Sequence, residues 1–149
     1  METDTELSAL QRAKQLASRI FGARPIWMNV LMVFCAYMTF FYLPWDLFVK
    51  PVAQDQEVWF GYVLKGWPAK LTTPIHLLIY AFGMVGFYSM RPWMHPWAAL
   101  YTLQVAIGSF VWCVRDESVP LVGAIVTLVA VLALVWLLWR SKGRFVTGD

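Results

Sequence analysis

The chain has 149 residues, of which 60% are hydrophobic, 17% aromatic and only 14% charged. A soluble domain carries about 25% charged residues, so a water-coated globule is excluded, and such high hydrophobicity also excludes disorder. The net charge of +3 is small and the aromatics lie in apolar runs, away from Lys and Arg, which excludes a nucleic-acid-binding module, and two cysteines exclude a disulfide framework or a Cys-built zinc site.

Residues 1–24 open polar and then read as a short amphipathic segment, with Leu7, Leu10, Ala13, Leu16, Ala17 and Ile20 near helical spacing and Arg12, Lys14 and Arg19 largely elsewhere. Such a segment suits the inner leaflet, its basic residues near anionic headgroups. A loosely ordered leader whose charges only set topology is the alternative. Four windows without Asp, Glu, Lys or Arg follow at 25–45, 71–90, 92–114 and 118–139, each 20 to 23 residues long. A hydrocarbon core of about 30 Å takes roughly 20 residues of helix, and only helices or closed barrels satisfy their backbone groups in lipid. The windows are too continuously apolar for barrel strands. The expected fold is therefore an all-α, integral membrane four-helix bundle. Its domain, 25–149, carries spans at about 25–47, 71–90, 92–114 and 118–139. The first window is too long, and too far behind a polar stretch, for a cleavable signal peptide.

Between the first two spans, 50–70 is too apolar for a free loop. Val58, Trp59, Phe60, Tyr62, Val63, Leu64 and Trp67 are punctuated by Gly61 and Gly66. An interfacial or re-entrant segment at about 54–68, resting over the helix ends, is expected. Trp45, Trp67, Trp93, Trp97, Trp112, Trp136 and Trp139 fall near span ends, as an aromatic belt requires. Gly83 and Gly86 on the second span, and Ala98, Thr102 and Ala106 on the third, are the small residues that let helices approach in lipid.

Ionisable groups at membrane depth are costly and so are candidates for function. Asp46 follows Pro44 at the outer end of the first span, and an acid there either serves a ligand or pairs with Lys50 at i+4. His76, early in the second span, lies at similar depth, with Tyr80 one turn deeper, while Tyr42 stands one turn inside Asp46. Gln104 and, at the outer end of the third span, Trp112 complete a set that can converge on one outward-half cavity. Asp46 and His76 are the catalytic candidates, through proton shuttling between them. No metal or cofactor is expected: no zinc-ligand spacing or thiol pair is present, and His76 and His95 lie on opposite membrane faces, too far apart for one bis-His haem.

The layout of four helices, the first-helix acid in Pro44-Trp45-Asp46-Leu47, the aromatic stretch Tyr80-Ala81-Phe82, the turn at Arg91, Ala98-Ala99-Leu100-Tyr101 and the basic tail resemble the EXPERA family of sigma-2-receptor-like and emopamil-binding-protein-like membrane proteins. The resemblance implies a lipid- or sterol-like ligand, with or without a cationic group, held by acids in a pocket within the bundle. It carries over Asp46, with Glu57 as the second acid.

Three functions remain open on the residues. The chain binds such a ligand at Tyr42, Asp46, Glu57, His76, Tyr80, Gln104 and Trp112, with or without isomerising it; or it is a small accessory or assembly subunit of a larger membrane complex; or, less suited by the end-of-helix position of Asp46, it is a small cation transporter. Partners would be membrane lipids, such a ligand, and another membrane protein or further copies of the chain, in a bacterial inner membrane or the endoplasmic reticulum.

The side shared by both termini carries eight basic residues (Arg12, Lys14, Arg19, Arg24, Arg91, Arg140, Lys142, Arg144) and the other side four (Lys50, Lys65, Lys70, Arg115). Positive residues favour the cytoplasm. Reporter fusions or cysteine labelling should therefore place Met1, Arg91 and Asp149 in the cytoplasm and Gln54 and Glu117 outside. Opposite locations for Met1 and Asp149 would contradict four spans.

Overall fold

The computed structural model describes residues 11–145 except 13, 19, 23 and 117–119. Of the N-terminal amphipathic pattern, Leu7, Leu10, Ala13 and Arg19 lie outside the described residues, as does Glu117. The remaining positions of 11–21 are helical, with Leu16 exposed and Ile20 packed against the core.

Four helices are long and apolar enough to cross a membrane: α1 (Ile26–Phe48), α2 (Trp67–Ser89), α3 (Met94–Arg115) and α4 (Leu121–Arg140). Three of the four start directly after a punctuating residue. Pro25 and Pro120 precede α1 and α4, and Gly66, at φ 67°, precedes Trp67-Pro68 of α2, where proline suits the first helical turn. Helix α2 begins one turn before the charge-free window because Lys70 inside it is buried and paired, as described below.

Helix α1 changes winding on the way out. A π turn at Met38–Tyr42 precedes the last α-helical piece, Leu43–Phe48. Pro44 has no N–H and its ring collides with the carbonyl four residues back, so a standard turn cannot pass through it. The wider turn absorbs the mismatch, and the N–H of Leu43 reaches the Met38 carbonyl. Buried Met28, Met32, Cys35, Leu43 and Asp46 form the face directed at the other helices.

Helix α1 packs along α2, and α3 along α4. Small residues sit where they meet: a Cβ on Gly83 would lie 3.0 Å from Cys35 Sγ, and Ala106 and Ala124 are buried; between α2 and α3, a Cβ on Gly86 would lie 2.2 Å from Sδ of Met94, the first residue of α3. At the end shared by the start of α1 and the end of α2, Met28, Met32, Cys35, Phe87, Met94, Ala99, Leu138 and Phe145 form the apolar core. Arg24 caps that end. Its guanidinium donates to the carbonyls of Phe87 (3.1 Å) and Tyr88, and to Asn29 Oδ1 (3.0 Å), so a cation meets the C-terminal dipole of α2.

The opposite end departs from an all-α reading. After a 3₁₀ turn at Val52–Gln54, β1 (Gln56–Trp59) and β2 (Tyr62–Lys65) form an antiparallel hairpin, with Trp59 opposite Tyr62. The physical reason is in the local residues: β-branched and aromatic side chains flank a two-residue turn with Gly second. Phe60 and Gly61 both have positive φ, 50° and 85°, as a type I′ turn demands. The hairpin contacts both α2 and α3, which touch each other little. Its tip lies on α3, where the backbone of Phe60 and Gly61 is 3.5 Å from the Cβ position of Gly108. Gly108 is seven residues inside the end of α3 at Arg115, or about 10 Å at 1.5 Å per residue.

A Cβ at Gly61 would lie 2.3 Å from Val111 Cγ1, at a backbone angle unfavourable to L residues. Gly61→Ala should therefore lower the melting temperature and speed proteolysis between Gln56 and Lys65. Adding Val111→Ala should restore only the part due to collision, leaving roughly 1–2 kcal/mol of backbone strain. An unchanged melting temperature in Gly61→Ala would show that the tip is not seated on α3.

Candidate functional site

Two polar clusters occupy the hairpin end, and they divide the residues singled out in the sequence. The first is a four-charge clamp. Lys50 Nζ lies 2.7 Å from Asp46 Oδ1 and 2.8 Å from Asp55 Oδ1, and Lys70 Nζ lies 3.2 Å from Asp55 Oδ2. Lys70 also donates to the carbonyls of Lys50 (2.9 Å) and Asp46, and Thr73 Oγ1 donates to Asp46 Oδ2 at 3.2 Å. Asp46 is 3% exposed, Asp55 0% and Lys70 7%. Two acids and two lysines cancel, and each ion has several partners, which is the condition under which buried charges persist.

Burial pushes the Asp55 carboxyl up, but hydrogen bonds from Lys50 and Lys70 outweigh it and hold the group below the usual carboxylate range. Lys50 is the converse: burial lowers it, and its bonds with Asp46 and Asp55 raise it beyond the ordinary lysine value. The structure thus places Asp46 in an ion cluster with Lys50, and does not bring it to His76.

The second cluster joins the hairpin to α2. Side chains alternate along a strand, so Glu57 and Trp59 turn to α2 while Gln56 and Val58 stay exposed. Glu57 Oε1 lies 2.5 Å from His76 Nδ1, and Glu57 Oε2 accepts from Trp59 Nε1 (3.0 Å) and from the Thr72 hydroxyl. The Trp59 ring stacks on His76 at 4.5 Å between centroids and 13° between planes. Burial raises the Glu57 carboxyl, yet hydrogen bonds from His76, Thr72 and Trp59 overcome this and hold it below its ordinary value. A carboxylate only accepts, so Nδ1 of His76 is the donor and Nε2 is the nitrogen left to accept in the neutral ring.

Deeper along the same face, Tyr80 follows His76 at 6.4 Å between centroids, and Tyr101 of α3 meets Tyr80 edge-on at 6.3 Å. His76 is nine residues below Trp67, the first residue of α2, or about 14 Å. An imidazole held by a carboxylate, beside two phenols at that depth, is equipped to bind a hydroxyl group or to move a proton.

Of the other candidates, Tyr42 is exposed, packs its ring on Trp45 at 6.3 Å and stands within electrostatic reach of Tyr80. Gln104 is half-buried along α3 outside both clusters, and Trp112 lines an open groove with Gly61, Tyr62, Val63, Arg115 and Asp116. The residues missed in the sequence are Asp55, Lys70, Thr72, Thr73, Trp59 and Tyr101. Glu57 and Trp59 at i, i+2 are a strand-face pattern that points to the second cluster. Among the described residues, no group of three or more His, Cys, Asp and Glu could hold a metal ion. Comparison of the chain with protein-family models, curated proteins and solved structures finds no match.

The clamp predicts a pH profile. A depressed carboxylate such as Asp55 contributes stability above the unfolded value near 3.9 and loses it as pH falls through the folded value, whereas a raised lysine such as Lys50 contributes below about 10.4 and loses it as pH climbs through its folded value. The melting temperature should therefore hold level from roughly pH 5 to pH 9 and fall outside that range. Asp55→Asn should destabilise by about 3–5 kcal/mol at pH 7, because it takes the one carboxylate from buried Lys70 and leaves Asp46 alone to balance two lysines, and should flatten the acid limb. An acid limb as steep in Asp55→Asn as in the wild type would contradict the assignment.

Proposed function

We propose that this chain is a multi-pass membrane protein, termini cytoplasmic and hairpin outside, that binds a hydroxyl-bearing lipid or sterol-like molecule in its outer half. The ligand's hydroxyl donates to Nε2 of His76, and its apolar body lies along Tyr80 and the neighbouring apolar faces of α2 and α3. One observation carries this reading: the contact of Glu57 with His76 at membrane depth, which fixes the ring's donor on the hairpin and leaves its acceptor for a ligand. A half-buried carboxylate with three donors and a stacked imidazole costs more to hold there than the apolar residues that would otherwise pack there, so its presence calls for a use.

Asp46 serves the architecture of this site through the clamp, and a cationic group on the ligand is not required. The Glu57–His76 pair also has the composition of a general base oriented by a carboxylate, and the binding reading holds with or without turnover.

The test uses the full chain in lipid nanodiscs with a photoreactive sterol and a photoreactive long-chain alcohol as probes. Labelling should map to 56–65 and 67–89. His76→Phe keeps an aromatic ring against Trp59 but removes the acceptor. A buried hydrogen bond of about 0.5–1.5 kcal/mol is lost, and labelling should fall roughly three- to tenfold; the melting temperature also drops, because Glu57 loses its His76 donor, so labelling is compared well below both melting temperatures. Labelling unchanged in His76→Phe would overturn the site. Recovery of a stoichiometric protein in place of lipid from mild detergent would favour the accessory-subunit alternative.

A further inference from the structure

A polar groove lies on the other side of the hairpin, apart from His76. Gly61, Tyr62 and Val63 form one wall of an open groove of about 390 Å³, and Trp112, Arg115 and Asp116 form the other. That volume falls within the roughly 300–1,000 Å³ of small-ligand sites.

The groove has a defined set of polar groups. The Arg115 guanidinium lies over the Tyr62 ring, 4.6 Å from its centroid. That contact holds the guanidinium carbon against the ring at the groove, where its five N–H donors suit bidentate phosphate. The backbone adds a donor. Trp59 and Tyr62 flank a two-residue turn and exchange ladder bonds, and the Gly66 N–H reaching the Asp55 carbonyl at 2.9 Å marks another pair of the same parity. Val58 and Val63 form the intervening pair, so their N–H and C=O groups point away from the partner strand. The amide of Val63, on the groove wall, is thus unused by the ladder.

Charge and depth select the ligand. Arg115 and Asp116 line one groove with opposite signs, so the complement carries both an anion and a cation. Both residues sit at the end of a membrane-spanning helix, beside Trp112 and Tyr62, at the level of headgroups. Asp116 already has an interaction of its own, and a carboxylate has acceptor capacity for more than one donor.

We propose that the groove between β2 and the end of α3 binds a zwitterionic phospholipid headgroup, its phosphate on Arg115 and its ammonium beside Asp116. The acyl chains pass down the exposed apolar surface of the leaflet on the hairpin side. Lipid bound there packs the outer wall of the hairpin and holds its unpaired strand edge away from hydrocarbon.

Native mass spectrometry of the full chain in detergent provides the test, with dioleoyl phosphatidylethanolamine, dioleoyl phosphatidylglycerol, dioleoylglycerol and soluble phosphoethanolamine as probes. The wild type should bind phosphatidylethanolamine more tightly than either other lipid and should ignore phosphoethanolamine at equal concentration. Arg115→Gln should weaken phosphatidylethanolamine about ten- to a hundredfold, as loss of a charge-assisted bond implies, and leave dioleoylglycerol unchanged. Asp116→Asn should erase the preference over phosphatidylglycerol. Tyr62→Leu, which frees the guanidinium while keeping its charge, should weaken phosphatidylethanolamine severalfold at an unchanged melting temperature, and serves if Arg115→Gln does not fold. Equal affinity in wild type and Arg115→Gln, or in wild type and Tyr62→Leu, would overturn the site. Tighter binding of phosphatidylglycerol by the wild type would overturn its zwitterionic character, and phosphoethanolamine binding as tightly as the whole lipid would assign the groove to a soluble phosphate instead of the membrane.

Discussion

Everything at the hairpin end depends on how four charges are kept out of water. Asp46, Lys50, Asp55 and Lys70 are drawn from the end of α1, the following turn and the start of α2, and none is tolerable there alone. Desolvating one ion costs several kcal/mol, and removing one partner of a set leaves the remainder uncompensated. The cluster is therefore satisfied as a whole or not at all. Its closure ties the two helix ends together and fixes where the hairpin departs, since Asp55 immediately precedes β1 and its carbonyl accepts from Gly66.

Once anchored, the hairpin acts as a wedge. It contacts α2 through Glu57 and Trp59 and meets α3 at Gly108 and Val111. Helix α2 covers Glu57 and Trp59 and α3 covers the backbone of the tip, while Val58, Phe60 and Tyr62 stay exposed. One face holds the Glu57–His76 pair, and the other forms a wall of the Arg115 groove. The far end of the molecule, by contrast, is closed by apolar packing around Met28, Phe87 and Leu138 and by the Arg24 cap.

The four spans were legible because hydrophobic length is a property of contiguous residues, and the small residues at Gly83, Gly86 and Ala106 marked helix contacts for the same reason. Aromatic and β-branched residues around Gly61 hinted at an apolar outer segment, but not at two paired strands, because a 3.6-residue period and a 2-residue period are hard to separate over ten positions. The pairing of His76 with Glu57 could not be read from spacing. It depends on a hairpin turning back over α2, a contact across 19 residues that only the folded chain brings together. Asp46 was read as either a ligand group or a partner of Lys50. The deciding information lay in Asp55, Lys70 and Thr73, three residues that are unremarked individually and significant only as a set.

The central claim is that the hairpin tip lies at membrane depth, seated on α3 about 10 Å below the helix end. Electron paramagnetic resonance power saturation of a spin label at Phe60→Cys, with Cys35 and Cys113 replaced by Ala, measures this directly in bilayers. Phe60 is 63% exposed, so the label has room. The account predicts high collision with oxygen and low collision with a water-soluble nickel chelate, matching a label at Ile107 on the neighbouring turn of α3. Nickel accessibility equal to that of a label at Gln54 would place the tip in water and contradict the account.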